Sequence, residues 1–462
     1  MGDRAYFVVW GSSAGLVDAE TRFPRSTRLV SDSEQRVADG FPVVVDQDGF
    51  PVEEILGFFV ARSYSARSTS AQYARVFARL CDFLEFRGAR SLLDATQKDL
   101  SAYRVYRTQT AAQPISQYAF RVEATALRQF YSWAVESGRL RQSPVKKFSK
   151  VGRDNLSTNR IRHSKVRHVD GYLYDKWLEE AGCRSAGASV RSARERNIAA
   201  FKTLVSTGLR IQELASLLTL DIDNGQLLKH AMVVEMESIT KYEINRNAII
   251  PNYALTAIRK YRKLERPNVV LRHQRSLAGQ LDGCFMVEYF DPGTRRVWGL
   301  WRGRRRQYLL HQVPVEMRLK AVIVSADRIV EPLCLFLSDS RGLGMTRSGW
   351  EGVFTATSEQ LLRRYPADRQ VRKVTPHDLR HTFAINYLRA AHQARAKAQG
   401  QSTFGDGPPL RDPLIDLQEL LGHATSAQTL RYLRYVEDID IAVAAAAPDS
   451  AVDANDDRAA AK

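Results

Sequence analysis

Residues 376–383 read Pro376-His377-Asp378-Leu379-Arg380-His381-Thr382-Phe383, and residues 417–423 read Leu417-Gln418-Glu419-Leu420-Leu421-Gly422-His423. The first stretch opens an apolar helix, because Phe383, Ala384, Tyr387 and Leu388 recur at helical steps. His377 and Arg380 then sit one turn apart on a shared face, where both reach one ligand. The second stretch is a short amphipathic helix that stops at Gly422, a residue suited to the left-handed conformation that terminates helices. His423 is thereby pinned at a turn. Thr425-Ser426-Ala427-Gln428 fits a capping box, which predicts a new helix carrying Tyr432 about two turns in. Taken singly, these residues have ordinary readings as a surface His-x-x-Arg pair and a packed tyrosine.

Upstream, Thr207-Gly208-Leu209-Arg210-Ile211-Gln212-Glu213-Leu214 places an arginine after a glycine and ahead of an apolar helical stretch with Leu214, Leu217 and Leu218. By itself Arg210 caps a helix or pairs with Glu213. Val233 to Glu235 and Ala248 to Ile250 flank the polar stretch Ser238 to Asn247, a hairpin signal, with Lys241 in its polar turn.

From Ile55 to Trp133 the pattern is helical: Tyr73, Val76, Phe77, Leu80, Phe83 and Leu84, then Leu127, Phe130, Tyr131 and Ala134, recur at three- and four-residue steps. This predicts a small bundle over residues 55–145. Residues 1–54 carry short apolar runs at Tyr6 to Trp10 and Pro42 to Val45 with a turn at Asp48-Gly49, so a strand-containing extension of unassigned role is expected. Lys146, Lys147, Lys150, Arg153, Arg160, Arg162, Lys165 and Arg167 face only Asp154 across residues 146–168. That run reads as a basic, weakly structured linker that serves either as a solvated tether or as a strap along phosphates. Helical periodicity resumes from Tyr172 and the catalytic region spans 169–447. Arg302, Arg304, Arg305 and Arg306, near Trp298 and Trp301, form a second basic region, either a nucleic-acid surface or a solubilising loop. Residues 448–462 are small, polar and partly acidic, which predicts a disordered tail.

The 462 residues hold 68 Lys and Arg against 51 Asp and Glu, a net charge of +17 that calls for an anionic partner, with nucleic acid foremost. No apolar run reaches membrane-spanning length and Met1 to Val9 lack a signal-peptide pattern, so a cytoplasmic, nucleoid-associated protein without membrane contact is expected. Cys81, Cys183, Cys284 and Cys334 lie far apart, which predicts buried thiols and no metal site.

Together the quoted stretches closely resemble the tyrosine recombinase (phage integrase) family, whose signature is Arg, Lys, His-x-x-Arg, His or Trp, and Tyr in order. Here the order is Arg210, Lys241, His377, Arg380, His423 and Tyr432. The resemblance covers roughly Ile55 to Ala447. It implies a mainly α fold with a small β-sheet: a helical SAM-like core-binding domain, then an α+β DNA breaking-rejoining catalytic domain. Relative to compact members, insertions lie near 267–330 and 392–412. The resemblance also implies double-stranded DNA recombination sites as substrate, a homotetramer in the synaptic complex, accessory or directionality proteins as possible partners, and no cofactor. Glu437 to Ala447 would be a C-terminal helix docking on a neighbouring subunit.

The chemistry wants these residue types. In-line attack on a phosphodiester builds charge on the nonbridging oxygens, and the guanidinium forks of Arg210 and Arg380 suit it. Tyr432 is the expected nucleophile, with Tyr435 one turn on as a competitor. A phenol with a pKa near 10 needs help to lose its proton, and His377 is the expected helper. The resemblance makes Lys241 the general acid for the leaving 5′ oxygen and His423 a hydrogen-bond donor to the phosphate, while Glu213 is expected to buttress the arginines. The leading reading is a recombinase that mobilises a phage, transposon or other integrative element. A chromosome-dimer-resolving recombinase and a type IB topoisomerase-like enzyme are the alternatives.

Overall fold

A computed structural model of the chain describes residues 5–10, 41–62, 67–88, 91–148, 153–158, 166–181, 193–240, 243–325, 329–401 and 412–433. The chain divides into two units, Met1–Ser164 and Lys165–Lys462.

In the first unit β1 (Phe7–Trp10) and β2 (Pro42–Val45) form an antiparallel ribbon, and four helices follow: α1 (Glu53–Ala61), α2 (Arg67–Phe86), α3 (Gln97–Val105) and α4 (Gln117–Glu136). Two of the helices start where side chains cap orphan amides: Thr96 and Asp99 form a reciprocal capping box on α3, and Ser116 caps α4. The apolar stripe of α2 packs inward, with Phe77 against Phe58 and Phe130 at ring separations of 5.4 and 5.2 Å. Val44 of the ribbon joins the same core.

The expected linker is more ordered at its start than its composition suggests. Asp154 accepts two hydrogen bonds from Arg128, at 2.7 and 2.9 Å, and Leu156 is buried in the helical core. One carboxylate within a basic run thus pins residues 153–158 to α4. Lys146, Lys147, Arg153 and Arg167 are exposed, whereas Lys150, Arg160, Arg162 and Lys165 lie outside the described residues.

The second unit opens with α5 (Gly171–Ala181), α6 (Arg194–Thr207), α7 (Ile211–Ala215) and α8 (Thr219–Asp223). The predicted hairpin is present: β4 (Ala231–Met236) pairs antiparallel with β5 (Arg246–Pro251), and β3 (Gln226–Leu227) adds a third strand. Helices α9 (Asn252–Leu264) and α10 (Arg266–Ala278) follow.

The segment expected only as an insertion folds into a sheet of its own. Strands β6 (Phe285–Asp291), β7 (Arg296–Trp301) and β8 (Arg304–Leu309) form a meander, followed by the short helix α11 (Val315–Leu319), β9 (Ala321–Val324) and β10 (Val330–Pro332). The strand order is β10-β9-β6-β7-β8, with β6 and β9 parallel and the other pairs antiparallel. Buried arginines lock it to the rest of the unit: Arg318 pairs with Asp221 at 2.7 Å, and Arg266 bonds Glu331 and the Pro332 and Cys334 carbonyls.

Helices α12 (Arg347–Arg364), α13 (Pro376–Gln401), α14 (Pro413–Leu421) and α15 (Ala427–Leu430) complete the unit. The first part of the second predicted insertion simply lengthens α13, and residues 402–411 lie outside the described set. Trp177, Phe201 and Phe354 stack at the centre of the main core. Cys81, Cys284 and Cys334 are buried free thiols, and Cys183 is outside the described residues. Among the described residues no helix is long and apolar enough to cross a membrane.

Candidate active site

Helix α13 starts because Thr375 and Asp378 cap each other's amides, at 3.0 and 3.3 Å. With the start fixed at Pro376, residues 377, 380 and 381 emerge on one face, and Leu379, Ala384, Ile385 and Leu388 bury the other side. Helix α6 ends at Gly208, whose φ of +63° is left-handed. A Cβ there would stand 2.4 Å from Phe383 Cδ1, so only glycine lets α6 and α13 approach this closely. Helix α14 ends at Gly422 (φ +59°), where His423 N–H donates to the Gln418 carbonyl and Gly422 N–H to that of Glu419. These are the two bonds of a Schellman motif.

The last carbonyls of a helix have no partner within it and carry the negative end of its dipole. At the end of α14 three successive carbonyls are each taken by a different arginine. Arg246 donates to Leu420, Arg380 to Leu421, and Arg210 to Gly422 at 3.1 Å. Arg380 also donates to the Gly208 carbonyl at the end of α6. Glu213, fully buried, lies between two of the cations: it accepts from Arg210 Nη1 at 2.9 Å, from the Arg210 backbone N–H at 2.7 Å, and from Arg246 Nη2. Arg210 therefore occupies the N-cap position of α7, where Glu213 caps its backbone N–H and pairs with its side chain. A guanidinium has five N–H groups, so these contacts orient the forks without exhausting their donors. Arg210 keeps 27% of its side chain exposed, which leaves it reachable.

Tyr432 closes the cluster. It is fully buried, and its hydroxyl lies 2.8 Å from His381 Nδ1. Its ring is nearly parallel to that of His423, with centroids 6.3 Å apart, and the Arg431 guanidinium lies 5.3 Å from its centroid. His423 Nδ1 meets Thr429 Oγ1 at 2.9 Å, which ties the turn after α14 to the tyrosine segment.

Two expectations need correction. The sequence assigns His377 to the tyrosine, but the hydroxyl is bonded to His381, one turn further along the same face. His377 is exposed and packs edge-on against His381, with ring centroids 4.1 Å apart. The predicted capping box at Thr425 and Ser426 does not form: Ser426 has helical backbone angles and caps nothing, and α15 is a single turn. Tyr432 lies just past it, not two turns in. The reason is tertiary, because the Thr429 hydroxyl and the Tyr432 hydroxyl are claimed by His423 and His381, and those buried bonds fix the segment over local propensity. Lys241 and Tyr435 lie outside the described residues. The loop leading to Lys241 is closed by Thr240 Oγ1, whose single O–H lies within hydrogen-bond reach of the Glu237 and Ile244 carbonyls, at 2.7 and 2.8 Å.

The electrostatics follow from crowding cations in a buried place. Burial, and then the repulsion of Arg210, push the Arg380 guanidinium down to about 9. Burial pulls His381 down to about 3, helped by His377 and Arg431, and His423 likewise to about 3, helped by Arg380 and Arg431. Both imidazoles are neutral at pH 7. His377 retains solvent access, yet lost hydration on its protein side and Arg380 also hold it below its ordinary value. So much uncompensated positive charge is a site built to receive an anion.

Sequence reasoning missed Arg246, His381, Thr429 and Arg431. His381 stands inside the opening stretch and was available to it. Arg246 left a fainter signal, an arginine at an alternating position that reads as core in the second strand of the hairpin.

Comparison with known proteins bears on this geometry. The Phage integrase family matches residues 178–397, a span that holds Arg210, Lys241, His377 and Arg380 and ends before His423. Tyrosine recombinase XerC of Roseiflexus sp. (strain RS-1) is 23% identical over 381 residues, covering 82% of this chain and 88% of that protein. Among solved structures, the Tn1549 transposon integrase in complex with circular intermediate DNA is 15% identical, with a TM-score of 0.46, over 82% of this chain and 94% of that one. A lambda integrase dimer bound to a COC′ core site is 14% identical, with a TM-score of 0.41, over 84% and 95%. The structure sets three arginines and two histidines around one buried tyrosine hydroxyl. Residues 178–397 thus match the phage integrase family, and the chain is similar to a tyrosine recombinase over 82% of its length.

Proposed function

We propose that the protein is a site-specific DNA recombinase of a mobile element that cleaves and rejoins strands through a phosphotyrosine at Tyr432. The observation that carries this reading is the convergence of Arg210, Arg380, His423 and Tyr432, over two hundred residues apart in sequence at the extremes, through the carbonyls of Gly208, Leu421 and Gly422.

Tyr432 Oη attacks the phosphorus, its proton passes to His381 Nδ1, and the bond from phosphorus to O5′ breaks. Lys241 gives the departing O5′ its proton, leaving a 3′-phosphotyrosyl link and a free 5′ hydroxyl. Arg210 and Arg380 hold the nonbridging oxygens as charge builds. Each preorganised donor of this kind is worth about 10²- to 10³-fold in rate. His423 donates to the phosphate from Nε2, since Nδ1 faces Thr429, and His377 meets the phosphate from the exposed side. The anion offsets the arginines and so raises the basicity of His381 at the moment a proton must be accepted. Because Tyr432 is fully enclosed, the surroundings of its hydroxyl must open to admit a duplex while the bond to His381 is kept. The phosphotyrosyl link conserves the energy of the broken bond, so a 5′ hydroxyl of a partner strand reverses the attack without ATP.

In this reading the partners are double-stranded recombination sites, engaged by a synaptic tetramer of this chain with accessory proteins setting direction, in the cytoplasm on the nucleoid. Lys146, Lys147, Lys150, Arg153, Arg160, Arg162, Lys165 and Arg167 contact phosphates. Chromosome-dimer resolution is the second reading, favoured by the similarity to XerC. The inserted sheet favours the mobile-element reading. A nicked suicide duplex tests the chemistry: the wild type traps a covalent 3′ complex, Tyr432→Phe traps none, and Tyr435→Phe still does. Loss of the adduct in Tyr435→Phe alone would overturn the assignment.

A further inference from the structure

The inserted sheet carries charge that the mechanism above does not use. Between Phe285 and Leu309 there are six arginines and two carboxylates. Three of the six are partly neutralised: Arg295 pairs with Glu235 at 3.1 Å, Arg302 with Glu316 at 3.4 Å, and Arg305 with Glu288 at 3.6 Å. Arg296, Arg304 and Arg306 are exposed, and no ion pair joins them to any other described residue.

We infer that the free edge of this sheet, strand β8, is a second phosphate-binding surface that grips the backbone of duplex DNA beyond the reacting phosphate. Strand β8 is the outermost strand, so among the described residues one side of it has no neighbour in the sheet. Arg304 and Arg306 stand opposite Trp301 and Gly299 in the ladder, which puts both guanidiniums on one face of the strand. Residues two apart on a strand are separated by about 6.8 Å, a spacing that suits successive phosphates along one DNA strand.

The platform is rigid. The tight turn at Arg302-Gly303, with φ of +51° and +72°, fixes the register of β7 and β8. Residues 310–313 at the end of the meander hold the base of the Lys241 loop: Ser238 N–H donates to the His311 carbonyl at 3.1 Å, and Ser238 Oγ to that of Val313 at 2.6 Å. The β8 arginines therefore keep a fixed offset from the catalytic hairpin. Charged edges also guard sheets against self-pairing, but a single charge of either sign suffices for that. Three consecutive arginines, part of the chain's net charge of +17, concentrate self-repulsion that an anionic partner relieves.

The inference rests on the DNA-recombinase reading, and its test separates the two. Binding of the full chain to a fixed duplex is followed by fluorescence anisotropy from 50 to 300 mM salt. Losing two phosphate contacts in Arg304→Glu/Arg306→Glu should lower the slope of log K against log salt by about 1.8, at about 0.9 per phosphate. Arg304→Lys/Arg306→Lys keeps the charge and should keep the wild-type slope. A wild-type slope in the glutamate pair overturns the proposal and points the arginines at another partner. A fall shared by the lysine pair overturns it too, because the edge would then act through fold and not through charge. In parallel, the wild-type protein is challenged with the nicked suicide duplex: an adduct with an unmoved slope sinks the second surface alone, whereas absence of an adduct sinks the recombinase reading.

Discussion

Replacing Arg246 with methionine tests the buried lattice that holds the site together. The side chain is only 3% exposed and donates to both Glu213 and the Leu420 carbonyl, and burial already holds its guanidinium below the ordinary value. Arg246→Met keeps the volume but removes both bonds. Glu213 Oε2 then retains only the Arg210 backbone N–H, and a carboxylate 1% exposed is left half-paired. Removing one partner of a buried pair costs about 3–5 kcal/mol, a large part of the 5–15 kcal/mol available to a domain. Arg210 also loses the brace on its own partner, so covalent trapping should slow by about 10²-fold under conditions where the variant stays folded. Urea unfolding of the full chain reads the first effect and single-turnover trapping on the suicide duplex reads the second. Glu213→Gln/Arg246→Met removes both charges, and its cost should fall short of the summed single costs by about 2 kcal/mol. Strict additivity, or a single variant within about 0.5 kcal/mol of wild type, would refute the reasoning.

Acid should loosen the catalytic unit before it protonates most carboxylates. His381 and His423 have folded values near 3 against about 6.5 unfolded, so below pH 6.5 the unfolded chain takes up protons that the folded imidazoles refuse. The stability is whole above pH 7 and is lost as pH falls toward 3, by about 2 kcal/mol per histidine at pH 5. Urea midpoints at pH 7.5 and 5 measure it, and equal pH sensitivity in His381→Gln/His423→Gln would contradict this origin. Gly208→Ala should cost about 2–5 kcal/mol, the sum of a left-handed backbone at φ +63° and a Cβ 2.4 Å from Phe383. A thermal melt within a degree of wild type would show that α6 and α13 can separate freely.

Much of the fold was legible because burial follows periodicity. The residues of α2 at three- and four-residue steps point inward, and the strands flanking Ser238 to Asn247 pair as their alternation implies. The inserted sheet was not read, although Arg296-Val297-Trp298-Gly299-Leu300-Trp301 alternates and is followed by a two-residue turn. Its arginines interrupt the apolar alternation at β8, so the strand's period is masked by charge. The turn at Tyr432 was misjudged for a different reason: a local capping motif was outbid by two buried hydrogen bonds whose partners, His381 and His423, are distant in sequence or fixed by another helix.

Sequence alone determined which residue types are present for phosphoryl transfer and the order in which they occur, because helix starts, helix stops and side-chain chemistry are local properties. It also determined where one helix must end, at Gly422, since a left-handed residue is a local requirement. Only the tertiary structure decided that Arg210, Arg246 and Arg380 would share three successive carbonyls at the end of one helix, and that His381 would hold the tyrosine. Those choices depend on which orphan carbonyls and hydroxyls are brought within about 3 Å of a donor once the core has packed, and hydrogen-bond energy falls too steeply with distance for any spacing along the chain to reveal them.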